Sequence, residues 1–439
     1  MTSDLFTTPE TTPLGLRGLH LDPCRHFIEV DTVLRIIDKM AALRLNTLHL
    51  HLSDDPSIPV EFACAPQIDS APRYSIADQE RIARACRERG IQVIPELDIP
   101  GHARAFLSFV DPAIEPETAM GVITPETIDL ERDLPVILAM FGELAERFGA
   151  RMIHMGGDEA HDYPRFPELI AAVCAWAAAR DLEVIAWDDV LSAIDHVPKN
   201  LIVHRWRREP DPKIHEARTI LSWGYYLDHA RDPFTYYNRR LELVVERDTV
   251  IGCIACMWTE LVTDRTIERT IFPSLYMLAH RWWHYPALET ADQPGLLRAL
   301  CERFGYPPEE PHDEPEWRAR RWVGFYRDDP RSTSSVSVHD VLERDHDLVP
   351  AFSRELVLAA DIISRALHAR DPAPSEEERA LVLRLGRACY GEDLGFVLAQ
   401  ERGWRRRLKE IMKAAAPSQL FNNGLEAALR GALRSTARA

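Results

Sequence analysis

The sequence predicts an α/β fold, a closed (β/α)8 TIM barrel followed by a helical C-terminal extension. Three observations predict it. Apolar runs of strand length alternate with longer stretches of helical period, the signature of parallel βα units. Eight such runs fall within about 270 residues, which suits a closed barrel better than an open sheet. Polar residues with chemical capacity stand at the ends of those runs, where a barrel carries its functional groups.

The strand candidates are residues 16–22, 46–53, 92–98, 152–157, 183–188, 201–205, 219–223 and 251–258. Helical stretches follow most of them. The first, 31–43, carries Val33, Ile36, Ile37 and Met40 on one face; the others are 76–89, 134–148, 166–180 and 266–283. This divides the chain into a polar, threonine-rich tail (1–13), a catalytic barrel (14–285) and a helical C-terminal region (286–439). The last begins with an acidic, proline-rich loop at 306–317 and contains a linker at 327–335 made only of Asp, Arg, Ser, Thr and Pro. Amphipathic stretches at 348–368 and 375–389 suit packing on the barrel or on a second copy, as in a homodimer. The basic run 402–413, which holds Trp404, reads as a solvated helix face.

Composition excludes several functions. With 52 Lys and Arg against 69 Asp and Glu, the formal charge is -17, a field that repels nucleic-acid backbones and anionic membranes. The 8 cysteines are scattered singly among apolar neighbours, unlike a disulfide framework or paired metal knuckles, and a reducing compartment follows. Cys253 and Cys256 read as small hydrophobes in a buried strand. The first residues lack the basic and apolar regions of an export leader, and no apolar run reaches membrane-spanning length. The expected location is the cytoplasm, or outside the cell if a leader was removed.

At the strand ends, carboxylates and tryptophans dominate. Strand 1 opens at Arg17 and closes at Asp22; strand 2 ends in His49, His51, Asp54 and Asp55; strand 3 in Glu96, Asp98 and His102; strand 4 in Gly156-Gly-Asp-Glu159. Strands 5 to 8 contribute Trp187-Asp-Asp189, His204-Arg-Trp206, Trp223 with Tyr226 and Asp228, and Trp258 with Glu260. Indole faces stack on sugar rings and carboxylates accept hydroxyl hydrogen bonds, so the rim points to carbohydrate. Asp158 and Glu159, as neighbours at a strand end, point different ways and should do different jobs. One competing reading starts from His49 and His51, whose His-x-His spacing suits a metal site completed by Asp98, His102 or His204.

The strings Arg17-Gly-Leu-His-Leu-Asp22, Asn46-Thr-Leu-His-Leu-His-Leu-Ser-Asp-Asp55, Ile94-Pro-Glu-Leu-Asp-Ile-Pro-Gly-His102, His154-Met-Gly-Gly-Asp-Glu159, Trp187-Asp-Asp189, Tyr225-Tyr-Leu-Asp228 and Trp258-Thr-Glu260 occur in order over residues 15–283. Together they resemble the motifs of glycoside hydrolase family 20, the β-N-acetylhexosaminidases. The resemblance implies a TIM-barrel enzyme without cofactor or metal that acts on amino-sugar glycans by substrate-assisted retention. It makes Glu159 the general acid, Asp158 the partner of the acetamido N–H and Tyr226 the partner of the acetamido oxygen. Trp187, Trp206 and Trp258 would wall the pocket; Arg17, Asp228 and Glu260 would bind ring hydroxyls; His102, with Asp54 or Asp55, would tune Glu159. A raised Glu159 pKa, from the tryptophan walls and Asp158, is the matching expectation. The run Pro56-Ser-Ile-Pro-Val-Glu61 departs from the family's usual Trp-Arg-Ile-Glu type, which opens a second substrate reading: β-1,6-linked glucosamine polymer, or release of disaccharides. A glycan-binding module without activity is disfavoured by the joint presence of Asp158, Glu159 and Tyr226.

Overall fold

The structure is a computed structural model that describes residues 14–110, 128–160, 163–207, 211–229, 233–238, 249–259, 267–285, 292–305, 373–390 and 394–414, with isolated positions besides. Eight parallel strands close on themselves in sequence order: β1 (Leu16–Leu21), β2 (Thr47–His51), β3 (Gln92–Glu96), β4 (Met152–His154), β5 (Glu183–Trp187), β6 (Leu201–Arg205), β7 (Arg218–Leu221) and β8 (Val250–Met257). β1 pairs with both β2 and β8, which closes the barrel. The barrel and the helices through Phe304 belong to one compact unit, and the described residues from 362 onward belong to a second.

Local chemistry sets the helices. α1 (Val30–Ala42) turns Val33, Ile36, Ile37 and Met40 inward, as the sequence period requires. α2 (Ile76–Glu88) starts at a capping box in which the Ser75 hydroxyl accepts from the Asp78 N–H and the Asp78 carboxylate accepts from the Ser75 N–H. A short helix, α3 (Arg104–Val110), precedes α4 (Leu134–Phe148), which ends at Gly149 in the left-handed conformation. α5 (Phe166–Ala178) and α6 (Val190–Ala193) follow. The single helix expected over 266–283 is two, Ile267–Ile271 and Ser274–Trp283, because Pro273 cannot continue the first. Among the described residues between β6 and β7 there is a 3-10 turn, Pro212–Glu216, and no α-helix.

The second unit contains the helices Glu376–Tyr390 and Trp404–Ala414. Trp404 and Leu408 of the basic run are buried while Arg405, Arg406 and Arg407 are exposed, the division expected of an amphipathic helix. The loop at 306–317, the linker at 327–335 and most of 348–368 lie outside the described residues. Among the described residues, no helix is long and apolar enough to cross a membrane.

The strands are buried on both faces. Outward-facing Leu48, Leu50, Val93, Ile153, Val184, Val203, Cys253 and Ala255 pack in the core shared with the helices. Inward-facing Leu16, Ile94, Met152, Ile185, Ile202, Ile220 and Ile254 form a separate apolar layer inside the barrel. Two residues further along the same faces the interior turns polar, with Glu96, His154, Trp187, His204 and Ser222; His20 and His49 join them, and all are buried. Each buried isoleucine is worth roughly 2 kcal/mol over an exposed one. A one-residue slip would forfeit several of these, so the register is fixed, and with it the height of the polar layer.

Gly252 is required where β8 meets β1. An added methyl there would stand 2.0 Å from the Leu16 carbonyl oxygen, a backbone atom of a paired strand. Gly252→Ala is therefore expected to cost at least about 3 kcal/mol of stability, read as a lower midpoint in urea unfolding. A midpoint equal to wild type would contradict the packing described.

Candidate active site

The C-terminal ends of the strands meet at one mouth, and the turn after β4 shapes it. Gly156, Gly157 and Glu159 all have positive φ, at 67°, 89° and 54°. At Gly156 no side chain is possible, because a Cβ would fall 1.7 Å from Asp98 Oδ1. The Gly157 N–H donates to that oxygen at 2.9 Å, and the Glu159 N–H donates to Asp189 Oδ1 at 3.0 Å. These bonds pin the turn on both sides and bring Asp158 and Glu159 to the same imidazole.

That imidazole is His102, which also has positive φ (48°). Its Nε2 lies 3.7 Å from Asp158 and 3.6 Å from Glu159; its Nδ1 lies 3.5 Å from Asp54 and 3.7 Å from Asp55. Burial works against a charge on His102, but Asp54, Asp158 and Glu159 outweigh it and raise its pKa well above the ordinary value. Glu159 differs from the expectation. Burial pushes its carboxyl up, yet the nearby His102 cation, with Arg25 and Arg207 beyond, brings it below its usual value. In the unliganded protein the proton sits on His102 and Glu159 is ionised. Burial does raise Glu159, but the cations around it, His102 first, lower it by more.

The two aspartates left open by the sequence have different surroundings. Asp54 takes Arg25 at 2.6 Å and His51 at 2.7 Å on one oxygen, and the Asp55 N–H at 2.7 Å on the other. Burial alone would raise it, but Arg25, His102 and His51 hold it well below the usual carboxylate range. Asp55 accepts from the Arg104 N–H, and burial pushes it up to about 6. Asp98, buried beside Asp158, is raised well above the usual range.

Around this group stand the aromatic residues. Trp187 is 1% exposed, stacks on His204 at 4.2 Å and donates from Nε1 to Glu96 at 2.9 Å. Its ring centroid is 6.0 Å from that of Trp258, which in turn is 6.3 Å from Tyr226 and 4.3 Å from His20. Trp206 donates from Nε1 to Asp189 at 2.7 Å, and Arg207 pairs with the same carboxylate. Burial, reinforced by charge at Cys256, Asp158 and Asp228, pushes the Tyr226 phenol up, so its hydroxyl stays protonated and able to donate. Asp228 is half-buried in the 3-10 turn Leu227–His229, and Glu260 lies outside the described residues.

Arg17 is not in this group. It occupies the N-terminal half of β1, at the opposite end of the barrel, where it donates to the carbonyls of Leu14 and Arg44 and lies 5.0 Å over Trp283. In a parallel strand the first residues and the last face opposite ends, and the arginine that reaches the mouth is eight positions later. Arg25 bridges Asp22 (3.2 Å) and Asp54 (2.6 Å) and lies 5.0 Å over Trp258. Sequence reasoning did not name it, and it quoted Asp98 and Asp189 at their strand ends without giving them a part in the turn that carries Asp158 and Glu159. The available signal was position: Arg25 follows Asp22, at the strand's C-terminal end.

His49 and His51 both point into the barrel. Donor atoms of His49, His154 and His204, and those of His51, Glu96 and Asp98, lie within 4.8 Å of one another, close enough to consider a metal. Several of these atoms already bond one another or the mouth: His51 bonds Glu96 and Asp54, each at 2.7 Å, and His154 bonds His204 at 3.2 Å. The arrangement is a hydrogen-bonded network that reaches Asp54.

Comparison with known proteins agrees with this geometry. Residues 15–173 and 164–286 match the family described as glycosyl hydrolase family 20, catalytic domain. Beta-hexosaminidase 3 of Arabidopsis thaliana is 27% identical over 326 residues, covering 66% of this chain and 60% of its own. A beta-N-acetylhexosaminidase of Cellulomonas fimi is 28% identical over 316 residues, covering 62% and 63%. The chain thus spans less than two thirds of the length of these relatives. Among solved structures, the family 20 β-N-acetylhexosaminidase of Streptomyces coelicolor A3(2) has a TM-score of 0.60 at 25% identity, covering 68% of this chain and 72% of that one. The match runs from the start of β1 to beyond the last barrel helix and contains the Asp158–Glu159 turn: the chain belongs to glycoside hydrolase family 20.

Proposed function

We propose that the protein is a retaining exo-β-N-acetylhexosaminidase that removes terminal β-linked N-acetylglucosamine or N-acetylgalactosamine through an oxazolinium intermediate. One observation carries this reading: Asp158 and Glu159, consecutive in sequence, share His102 yet keep distinct surroundings beside an aromatic wall. An acid and a separate anion at one mouth are what substrate-assisted cleavage needs, since the acetamido oxygen of the sugar is the nucleophile.

In this mechanism Asp158 accepts the acetamido N–H and stabilises the positive charge that develops on the ring formed at the anomeric carbon. Its Oδ1 is buried without a hydrogen-bond partner, which supports a role in receiving a donor from substrate. Tyr226 donates to the acetamido oxygen and aligns it for attack. Glu159 protonates the leaving glycosidic oxygen, then removes a proton from the incoming water. Because Glu159 is ionised beside a charged His102, the pair shares the working proton and substrate binding must bring it to Glu159. Trp258 and Trp206 offer faces to the sugar, while Trp187, sealed beneath, supports them. Arg25 takes the ring-hydroxyl role expected of Arg17, with Asp228 and Glu260.

Three measurements test this. With the nitrophenyl β-N-acetylglucosaminide and β-N-acetylgalactosaminide, and the plain β-glucoside as control, turnover is expected only for the acetamido sugars and to be insensitive to chelator. Glu159→Gln and Asp158→Asn should each lower kcat at least about a hundredfold; cleavage of the plain glucoside, or unimpaired variants, would remove the basis of the proposal. Arg25→Ala should lower kcat/KM by about a hundredfold, the scale of removing a charge-assisted hydrogen bond to substrate, whereas Arg17→Ala should lower thermal stability and leave KM near wild type. The reverse pattern would restore Arg17 to the site.

The third test is pH. The His102–Glu159 pair holds a proton whose apparent pKa is raised by the surrounding carboxylates, so kcat/KM should fall on the basic side only at a pH beyond the ordinary histidine value of about 6.5. The linkage has the same sign: stability gained from a raised His102 is fully present below its unfolded value and lost as pH rises through the folded one. His102→Gln leaves the proton to Glu159 alone and should move the basic limb to lower pH. A limb that stays in place would show that the proton belongs elsewhere.

A further inference from the structure

We propose that Glu96 and His51 are positioning residues for the acid–base group: a buried chain from Glu96 through His51 to Asp54 keeps Asp54 ionised and turned toward His102. This sets the lower end of the pH range in which Glu159 works. The inference rests on the proposed role of Glu159 and extends it inward by two side chains that touch neither substrate nor the reacting atoms.

The chain is continuous. Glu96 Oε2 meets His51 Nδ1 at 2.7 Å, His51 Nε2 meets Asp54 Oδ2 at 2.7 Å, Asp54 Oδ1 faces His102 Nδ1 at 3.5 Å, and His102 Nε2 faces Glu159 at 3.6 Å. Both ring nitrogens of His51 thus face carboxylates. Only the doubly protonated ring donates to both, so His51 is an imidazolium held between two anions. Its pKa is raised accordingly, Glu96 and Asp54 overcoming the effect of burial.

Glu96 is fully buried and accepts two hydrogen bonds, from His51 Nδ1 at 2.7 Å on Oε2 and from Trp187 Nε1 at 2.9 Å on Oε1, with the rings of His154 and His49 beside it at 3.0 and 2.9 Å. Its pKa is held well below the usual value, those histidines outweighing burial. The groups facing His51 are Glu96 from β3 and Asp98 just beyond it, His49 on its own strand, His20 from β1 with Asp22 and Cys24 just beyond it, and Asp54 past its own strand end. Of these, Glu96 and Asp54 are in direct contact. Asp54 itself is faced by His51, Arg25, His102 and Asp55.

A buried ion pair seldom gains stability over apolar residues of equal volume. The layer just below, all apolar, shows that this barrel can be filled that way. What the ions do provide is orientation. With Oδ2 committed to His51 and Arg25, Asp54 presents Oδ1 to His102. With a cation 2.7 Å away, Asp54 resists protonation as pH falls.

The test is the pH dependence of kcat/KM on the nitrophenyl β-N-acetylglucosaminide for wild type, His51→Gln and Glu96→Gln. Without the His51 cation, Asp54 takes a proton at higher pH, so both variants should move the acid limb upward by about one pH unit. kcat should fall about tenfold near neutrality while KM changes little. Folded variants, matched to wild type by circular dichroism, whose acid limb does not move would overturn the proposal. Should the variants fail to fold, histidine-selective 15N NMR on wild type decides it: both His51 nitrogens protonated from pH 5 to 8 supports the chain, and a neutral His51 in that range refutes it. Glu159→Gln separates the two readings, because loss of activity at all pH supports the function itself. Retained activity there would end the functional proposal while the NMR result still reports on the chain.

Discussion

Glu96 is the constraint on which the rest depends: an ionised carboxylate in the sealed middle of a barrel. Removing such a group from water costs several kcal/mol even after relaxation. It stays ionised because donors reach it from two strands, His51 from β2 and Trp187 from β5, while the rings of His49 and His154 close in from β2 and β4. Those donors arrive together only in the closed barrel and only in this register. The polar layer is therefore a lock on the topology as well as a charge placed beneath the mouth.

From that layer upward, each contact narrows the freedom of the one above. His51 orients Asp54, Asp54 faces His102, and His102 faces both residues of the Asp158–Glu159 turn. Trp187 is fixed from below by Glu96 and His204 and so gives the aromatic wall a rigid base. The turn after β4 needs two glycines and a left-handed glutamate, a conformation an L residue holds only against strain. Its bonds to Asp98 and Asp189 supply the compensation. The mouth thus combines carboxylates with opposite tendencies. Asp54 and Glu159 are held down by cations, while Asp55 and Asp98 are raised by burial.

Much of this was legible in the chain. The alternation of strand and helix periods announced a closed parallel barrel, and the buried faces of α1 and α2 follow their sequence patterns. The Gly156-Gly-Asp-Glu159 string named the turn that does carry both carboxylates. Three things were not legible. Arg17 and Arg25 lie on either side of the same strand, and a linear reading that rewards motif membership chose the one at the wrong end. The sign of the Glu159 shift depended on a contest between burial and the cations His102, Arg25 and Arg207, which come from other parts of the chain. His20 and His154 drew no reading in the chain and His49, His51 and His204 read only as a candidate metal site, and nothing local says that all five stand together inside the barrel.

The division has a physical basis. Periodicity and turn chemistry are properties of neighbouring residues, so the sequence by itself determined the order of elements, the apolar faces and the identity of the residues at each strand end. Which of those residues meet, which carboxylate keeps its proton and which arginine reaches the mouth depend on distances between strands far apart in the chain. Electrostatic interactions inside a barrel change over a few ångströms, and only the closed tertiary structure fixes those.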